Sequence, residues 1–385
     1  MRKTAAAVFG FVIVALAGAG VHSQAGVPPW QLIEHTIATD VRGGYQVLAA
    51  DLNKDKRIDL VAVPISKTGE VFWFENPSWA RHVLATVPLG IYSDAFDIDG
   101  DGIPEIGLAS GWSTNTATSS GEMSLLTHGP DVNAPWTVKQ FDKVPTAHRV
   151  RWIDAEGTGR KLLIMAPLAG TNGNEPDYKD KASIYAYNPT DLKRQLVTDQ
   201  DEGVIHGLYV VDWDGNGKEA LLSASFEGIH VHRLVNGKWI RTRLTAGSPE
   251  PRPKNGSSDV TVLKTKSGRQ LAAIEPWHGN QVVIYQGKGD VWGQRTVIDD
   301  TLNDGHTLQS GDLDGDGTDE IVAGYRRAGV NVYWHNGTSW SKVVLEQKAL
   351  GASGCVLAQL NDDSRLDLAC LGSSTLKWYE NQPAK

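Results

Sequence analysis

Cysteine is nearly missing from this chain: two residues, Cys355 and Cys370, among 385. Two thiols cannot make the framework on which small secreted folds depend. They fall inside one local repeat, so a cross-strand disulfide and a pair of small buried thiols both stay open. An excess of positive charge is also missing. Lys and Arg number 37 against 45 Asp and Glu, for a formal net charge of −8. Such a chain is a poor partner for nucleic acid or for an anionic membrane surface. Past the first 25 residues no apolar run is long enough to span a bilayer. No serine sits in a nucleophile-elbow motif, which argues against a serine hydrolase.

The N-terminus does carry a short apolar run. Arg2 and Lys3 precede Ala5 to Ala19, and Ser23-Gln24-Ala25 follows as a small-x-small site. This is the pattern of a secretory signal peptide over residues 1–25. No cysteine flanks it, so no lipid anchor is expected. Residues 26–385 are expected as one exported domain, periplasmic or secreted.

Internal repetition dominates the rest. The unit is an apolar strand, an acidic turn D-x-D-x-D-G-x-x-(D/E), and a second apolar strand. Examples are "DAFDIDGDGIPEIGLAS" from Asp94 and "LQSGDLDGDGTDEIVAGY" from Leu308. The first turn position falls at 51, 97, 154, 212, 264, 312 and 359, in steps of roughly 50 residues. A third strand with aromatics and a fourth that often opens with Trp complete each unit. Four short alternating strands per repeat make the blade of a β-propeller. The chain stops after a third-type strand, "STLKWYENQ", and the mature chain opens with a spare fourth-type strand, "WQLIEHTIA". The sequence therefore predicts an all-β, seven-bladed β-propeller closed by the N-terminal strand completing the last blade.

These repeats resemble the FG-GAP/VCBS propellers, which are also seen in integrin heads. The acidic turns place hard oxygens at alternate positions, which suits calcium. The expected structural calcium ligands are Asp97, Asp99, Asp101 and Glu105, then Asp312, Asp314, Asp316 and Glu320, and finally Asp51, Asn53, Asp55 and Asp59. Calcium there would pin a turn rather than do chemistry.

The residue six places ahead of each turn reads Tyr45, Ile91, His148, His206, Ser258, His306 and Ser353. Histidine makes up 11 of 385 residues, so three in one column of seven exceed what composition supplies. In a propeller the first strand is innermost and its start lies at the mouth of the central channel. The fifth unit lacks the first-strand histidine, but its second strand runs into "IEPWHGN", which offers His278. His148, His206, His278 and His306 should then form an arc around the funnel, facing Tyr45. Arg326 and Arg327 follow the second strand of blade six, and Arg149, Trp112 and Glu227 hold comparable places. Converging neutral imidazoles can hold a zinc-like ion or transfer protons near neutral pH. His35, His82, His128, His230, His232 and His335 fall on outer strands or turns and read as surface or packing residues.

The stretches "VIHGLYVVDWDGNG", "EPWHGN" and "NDGHTLQSGDLDGDGTDEIVAGYRR" resemble the propeller portion of aldos-2-ulose dehydratases, which remove water from keto-sugars. Seven-bladed polysaccharide lyases acting on uronates are a second resemblance. Both imply β-elimination. By resemblance, His206, His278 and His306 would hold zinc, manganese or magnesium. His148 or His206 would be the base, Tyr45 the acid and Arg326 an electrophile. Trp112, Trp277, Tyr325 and Arg327 would bind a small sugar or oligosaccharide. The competing expectation is a non-catalytic glycan- or protein-binding propeller with structural calcium only.

Overall fold

Seven four-stranded antiparallel sheets close into a ring in a computed structural model that describes residues 27–384 apart from Ala328. The expected signal peptide lies outside the described residues. Blade one runs from Gly44–Ala50 to Ala80–Thr86, blade two from Tyr92–Phe96 to Thr137–Lys143, and blade three from Ala147–Ile153 to Arg194–Glu202. Blade four runs from Ile205–Val211 to Lys238–Thr245, blade five from Asp259–Thr265 to Val291–Asp299, and blade six from Gly305–Gly311 to Trp340–Gln347. Blade seven takes three strands from the C-terminus, and its outermost strand is Trp30–Ala38. Trp30 pairs opposite Pro383 and His35 opposite Trp378, as the spare N-terminal strand predicts. Trp30 is buried and meets Trp334 edge-on at 5.9 Å. Closure of this kind completes the last blade and leaves only short, protected strand edges.

The second strands read as unbroken apolar runs because neighbouring blades cover both of their faces. Every residue of Glu105–Ser110, Ala220–Ser225 and Asp367–Gly372 is buried. Side chains of adjacent blades share clusters, such as Leu222 and Val231 with Val260 and Tyr285. In blade seven Cys355 pairs directly with Cys370, and the two form a disulfide. No helix of the described residues is long and apolar enough to cross a membrane.

The acidic turns close partly by themselves. Asp97 accepts the N–H groups of Gly100 and Gly102, and Asp312 those of Gly315, Asp316 and Gly317. Gly102 and Gly317 sit at φ of 92° and 84°, a region costly for residues with a Cβ. Oxygens converge within 4.8 Å for Asp97, Asp99 and Glu105, and for Asp312, Asp314 and Asp316. Four of the expected ligands also serve other partners. Asp101 turns one oxygen to His128 at 3.0 Å. Glu105 and Glu320 each accept a turn N–H, from Ile98 at 2.8 Å and from Leu313 at 2.7 Å. Asp59 spends both oxygens on the N–H groups of Leu52 and Asn76. In the first turn the Asp51 and Asn53 oxygens both accept the Asp55 N–H, at 3.2 and 3.1 Å.

Candidate functional site

Four of the expected site residues share one backbone device. Along the innermost strands the pairing register slips at Tyr45, His148, His206 and His306, each being the extra residue of a β-bulge. The first strands of blades two, five and seven pair without a slip. A bulge re-aims a side chain that regular alternation would point elsewhere. All four side chains are buried; Tyr45, His148 and His206 line a funnel of about 480 Å³ together with His278, and His306 meets them through the Tyr45 hydroxyl at 2.9 Å.

His206, His278 and His306 form a near-equilateral triangle. Their ring centroids are 4.9, 5.0 and 5.1 Å apart, and the rings stand close to perpendicular to one another. Each ring is anchored through Nδ1. His206 Nδ1 donates to the Ser258 carbonyl at 3.2 Å, and His306 Nδ1 donates to the Ser353 carbonyl at 2.5 Å. His278 Nδ1 donates to Asp304 at 2.6 Å. An Nδ1 proton held outward leaves Nε2 as a lone pair directed inward, which is how metal-binding histidines are oriented. One ligand atom from each ring lies within 4.8 Å of the others. Burial, with Arg149 and the neighbouring imidazoles as further causes, holds His206 and His306 well below the usual histidine range. Burial also lowers His278, although Asp304 opposes the shift. Three neutral imidazoles with converging lone pairs fit a zinc-like ion. His278 and Asp304 both sit at positive φ, 50° and 67°. Strain at a half-buried pair of this kind is usual at functional sites.

Tyr45 and His148 form the opposite wall. The Tyr45 hydroxyl is 2.9 Å from His306 Nε2 and 3.1 Å from His148 Nε2. Burial raises Tyr45 above its ordinary value, so it is a neutral phenol at physiological pH. His148 is pushed down by burial first and by the Arg149 cation second. Arg149 forms the floor. Its Nε donates to the His206 carbonyl at 2.5 Å, and its Nη atoms lie 3.3 Å from His206 Nε2 and 3.5 Å from His148 Nε2. Tyr92 stacks on its guanidinium at 4.6 Å. Among the described residues no carboxylate pairs with it.

Trp112, Trp277, Arg326 and Arg327 line the funnel above this floor, as the sequence suggests. Trp112 lies 4.8 Å from His148 and Trp277 lies 4.9 Å from His278, centroid to centroid. Arg326 and Arg327 approach Asp304 only to 3.9 and 3.8 Å, which leaves their donors free. Tyr325 does not join the lining. Strand alternation turns it away from its Arg neighbours, and its ring packs against the cluster around Leu302 and Leu308. Glu275 is buried on Ser257, Tyr285 and Arg295, and Glu227 turns to Arg241, so neither reaches the funnel. Sequence reasoning missed Asp304, the one carboxylate in the lining. Its signal was the "NDGH" run, which places an acid two residues before His306. The carbonyls of Ser258 and Ser353 left no signal beyond their place in the histidine column.

Comparison with known proteins agrees with this architecture at two levels. A profile of FG-GAP-like repeats matches residues 51–108 and 312–370. The chain is a seven-bladed propeller that carries FG-GAP-like repeats in these two segments. A profile of the aldos-2-ulose dehydratase β-propeller domain matches residues 120–289, the segment that carries His148, His206 and His278. No curated protein sequence matches the chain. Among solved structures, Saccharomyces cerevisiae Sqt1 is similar at 11% identity, covering 92% of this chain and 99% of its own, with a TM-score of 0.58. BBS1N in complex with ARL6DN follows at 13% identity, 91% and 96% coverage, and a TM-score of 0.52. An Agrocybe aegerita lectin that recognises non-reducing terminal N-acetylglucosamine is similar at 13% identity over 81% of each chain, with a TM-score of 0.50. At these identities the likeness is one of fold alone.

Proposed function

We propose that the funnel is the active site of a carbohydrate-active lyase that performs β-elimination, a dehydration or its equivalent, on a keto-sugar or uronate. One observation carries this reading: three imidazoles whose Nδ1 protons are tied outward converge on one point beside an un-ionised tyrosine. The match to the aldos-2-ulose dehydratase propeller over residues 120–289 supports the carbohydrate class.

His206, His278 and His306 would hold a divalent zinc, manganese or magnesium ion. That ion, when bound, supplies Lewis-acid stabilisation for negative charge developing on a carbonyl or carboxylate oxygen. The chain's own groups supply the remaining roles. His148 is neutral and faces the Tyr45 hydroxyl, so its Nε2 can receive the proton removed from the carbon α to the carbonyl. Tyr45, held un-ionised by burial, can give its proton to the departing β-oxygen. Proton return from His148 to Tyr45 across 3.1 Å would reset the pair. Arg149 beneath and Arg326 above provide fixed positive charge for the enolate. Trp112 and Trp277 offer apolar faces to a sugar ring.

A second reading, a glycan-binding propeller without catalysis, is favoured by Arg149. Its N–H groups point at His148 and His206 and can satisfy those lone pairs without an ion. Elemental analysis of the purified protein beside His206→Ala/His306→Ala separates the two. A stoichiometric transition metal lost in the double variant, with an ultraviolet-absorbing enone or enoate formed from a keto-sugar or uronate, supports the lyase. A metal-free funnel and no product from either substrate class leave glycan binding. Calcium at the two convergent acidic turns, and export, complete the proposal. The disulfide is consistent with an oxidising compartment.

A further inference from the structure

Three blade junctions share one polar motif. An acid near the end of one blade's fourth strand accepts a tyrosine hydroxyl from the next blade's third strand. The pairs are Asp142 with Tyr187 at 2.8 Å, Asp299 with Tyr333 at 2.5 Å, and Glu346 with Tyr379 at 2.9 Å. A cation from the next blade accompanies each: Arg194, Lys342 and Lys377. Every member of the motif is thereby partnered.

The junction between blades three and four breaks the pattern. Asp201 is the acid and Arg241 the cation, 2.9 Å apart. The tyrosine's place is taken by His232, which pairs with Leu221 as Tyr187 does with Leu163 and Tyr333 with Ile321. Its Nε2 lies 2.9 Å from Ser223 Oγ and not at the acid. His230, two residues earlier on the same face of the strand, brings Nδ1 to 3.7 Å from Asp201. As a result Asp201 Oδ2, His230 Nδ1, His232 Nδ1 and Arg241 Nε are all buried without a hydrogen-bond partner. Buried polar groups are seldom left so, and four at one junction mark a place where something binds.

The donor set indicates what binds. Asp201 and Glu227 supply carboxylate oxygens that Arg241 bridges, and Arg243 pairs opposite His230 across the strands. Asp201 and His230 are almost wholly buried. Asp201 Oδ2 is a lone-pair acceptor and His230 Nδ1 can be one, so a cation suits both. Arg241 Nε is a donor and is left to water. One ligand atom each from Asp201, Glu227 and His230 lies within 4.8 Å of the others. The Glu227 side chain is 37% exposed, which gives an ion a route from solvent.

We propose that Asp201, Glu227 and His230 form a second metal site, separate from the funnel, that takes one divalent cation of the zinc class and ties blade three to blade four. An imidazole with two carboxylates suits such an ion, and Arg241 holds the outer oxygen of Asp201 as a ligand's supporting partner would.

The test is zinc stoichiometry of the full chain after zinc loading and desalting, read by plasma mass spectrometry. Wild type is compared with Glu227→Gln, His230→Gln and His206→Ala/His306→Ala. Glu227 lies at the surface, so its variant folds even if the buried His230 variant does not. Zinc-dependent thermal stabilisation is measured alongside. The expected result is that Glu227→Gln and His230→Gln each lose one equivalent and part of the zinc-dependent rise in Tm. The funnel double variant keeps that equivalent, whether or not the funnel itself binds metal. Zinc content and Tm response equal to wild type in Glu227→Gln would overturn the proposal and leave the seam to water.

Discussion

The Nε2 atoms of His206 and His278 lie 3.3 Å apart, and neither ring has a proton to place between them. His206 gives its Nδ1 proton to Ser258, and His278 gives its own to Asp304. Two lone pairs held face to face repel unless a positive group shares them, either a bound ion or the Arg149 guanidinium, whose Nη lies 3.3 Å from His206 Nε2. Asp304 therefore fixes which nitrogen of His278 faces inward.

Asp304→Asn tests that orienting role. An amide can present its N–H₂ to His278 Nδ1 and favour the opposite tautomer, which puts a proton on the inward nitrogen. Funnel metal affinity should fall roughly 10- to 100-fold, the usual cost of losing such a supporting partner. Competition titration against a chelator reads the change. Unaltered affinity would count against His278 as a ligand.

Tyr45→Phe tests the proton donor. The ring and its packing remain, while the hydroxyl between His148 and His306 is lost. Turnover should drop by about 10² to 10⁴, typical of a positioned acid, with KM and metal content little changed. Product absorbance in the ultraviolet gives the rate. A variant of full activity would remove Tyr45 from the chemistry.

Much of this was legible in the sequence, for identifiable reasons. The blade count followed from the repeated acidic turn, and ring closure from the unmatched strand at each end. The histidine column followed from aligning the turns, because a ring of repeats carries equal positions to equal places. What could not be read is local. The bulges at Tyr45, His148, His206 and His306 insert one residue without leaving a motif, although glycine borders three of them. Tyr325 was misplaced because proximity to Arg326 in sequence does not fix which face of the strand it occupies. His230 and His232 were read as surface or packing residues; the structure buries both, because the third strand of blade four is covered by its neighbour.

The disulfide offers a stability test away from the site. Cys355 and Cys370 are 15 residues apart in sequence, and a loop of that size is worth about 3 kcal/mol by chain-entropy arithmetic. The Cys355→Ser/Cys370→Ser variant should lose about that much unfolding free energy, read as a lower denaturant midpoint. Activity should persist, because blade seven supplies only the Ser353 carbonyl to the imidazoles. A midpoint equal to wild type would mean that the unfolded chain gains little freedom when the link is cut.

Calcium should stabilise the protein through the two convergent turns. Added to chelator-treated protein at about 100 times its dissociation constant, a single site contributes about 2.7 kcal/mol. Asp97→Asn and Asp312→Asn should each remove part of the rise in Tm. Burial, reinforced by Asp314 and Asp312, pushes Glu320 up to about 8, so a calcium held by the three aspartates that also recruits Glu320 must displace a proton. Affinity should therefore increase from pH 6 to pH 8, which isothermal titration in two buffers can follow. A flat response would place calcium away from Glu320.

Asp259 gives a pH dependence of known sign. It lies at the inner strand of blade five and accepts the N–H groups of Val260 and Leu308. Burial raises it from 3.8 to about 6, although Arg149 and Arg151 pull it down. A raised carboxyl binds its proton more tightly in the folded chain. Its contribution to stability is therefore complete below pH 3.8, is lost as the pH rises through 6, and is constant above that. Asp259→Asn removes the titration. The variant's stability relative to wild type should climb between pH 4 and pH 7 and then level off, by at most about 3 kcal/mol for a shift of this size, with Tm rising in step. The rise is what identifies the group, because the amide's loss of one acceptor oxygen lowers the variant's Tm equally at every pH. A Tm difference independent of pH would show that the two arginines already hold Asp259 ionised throughout.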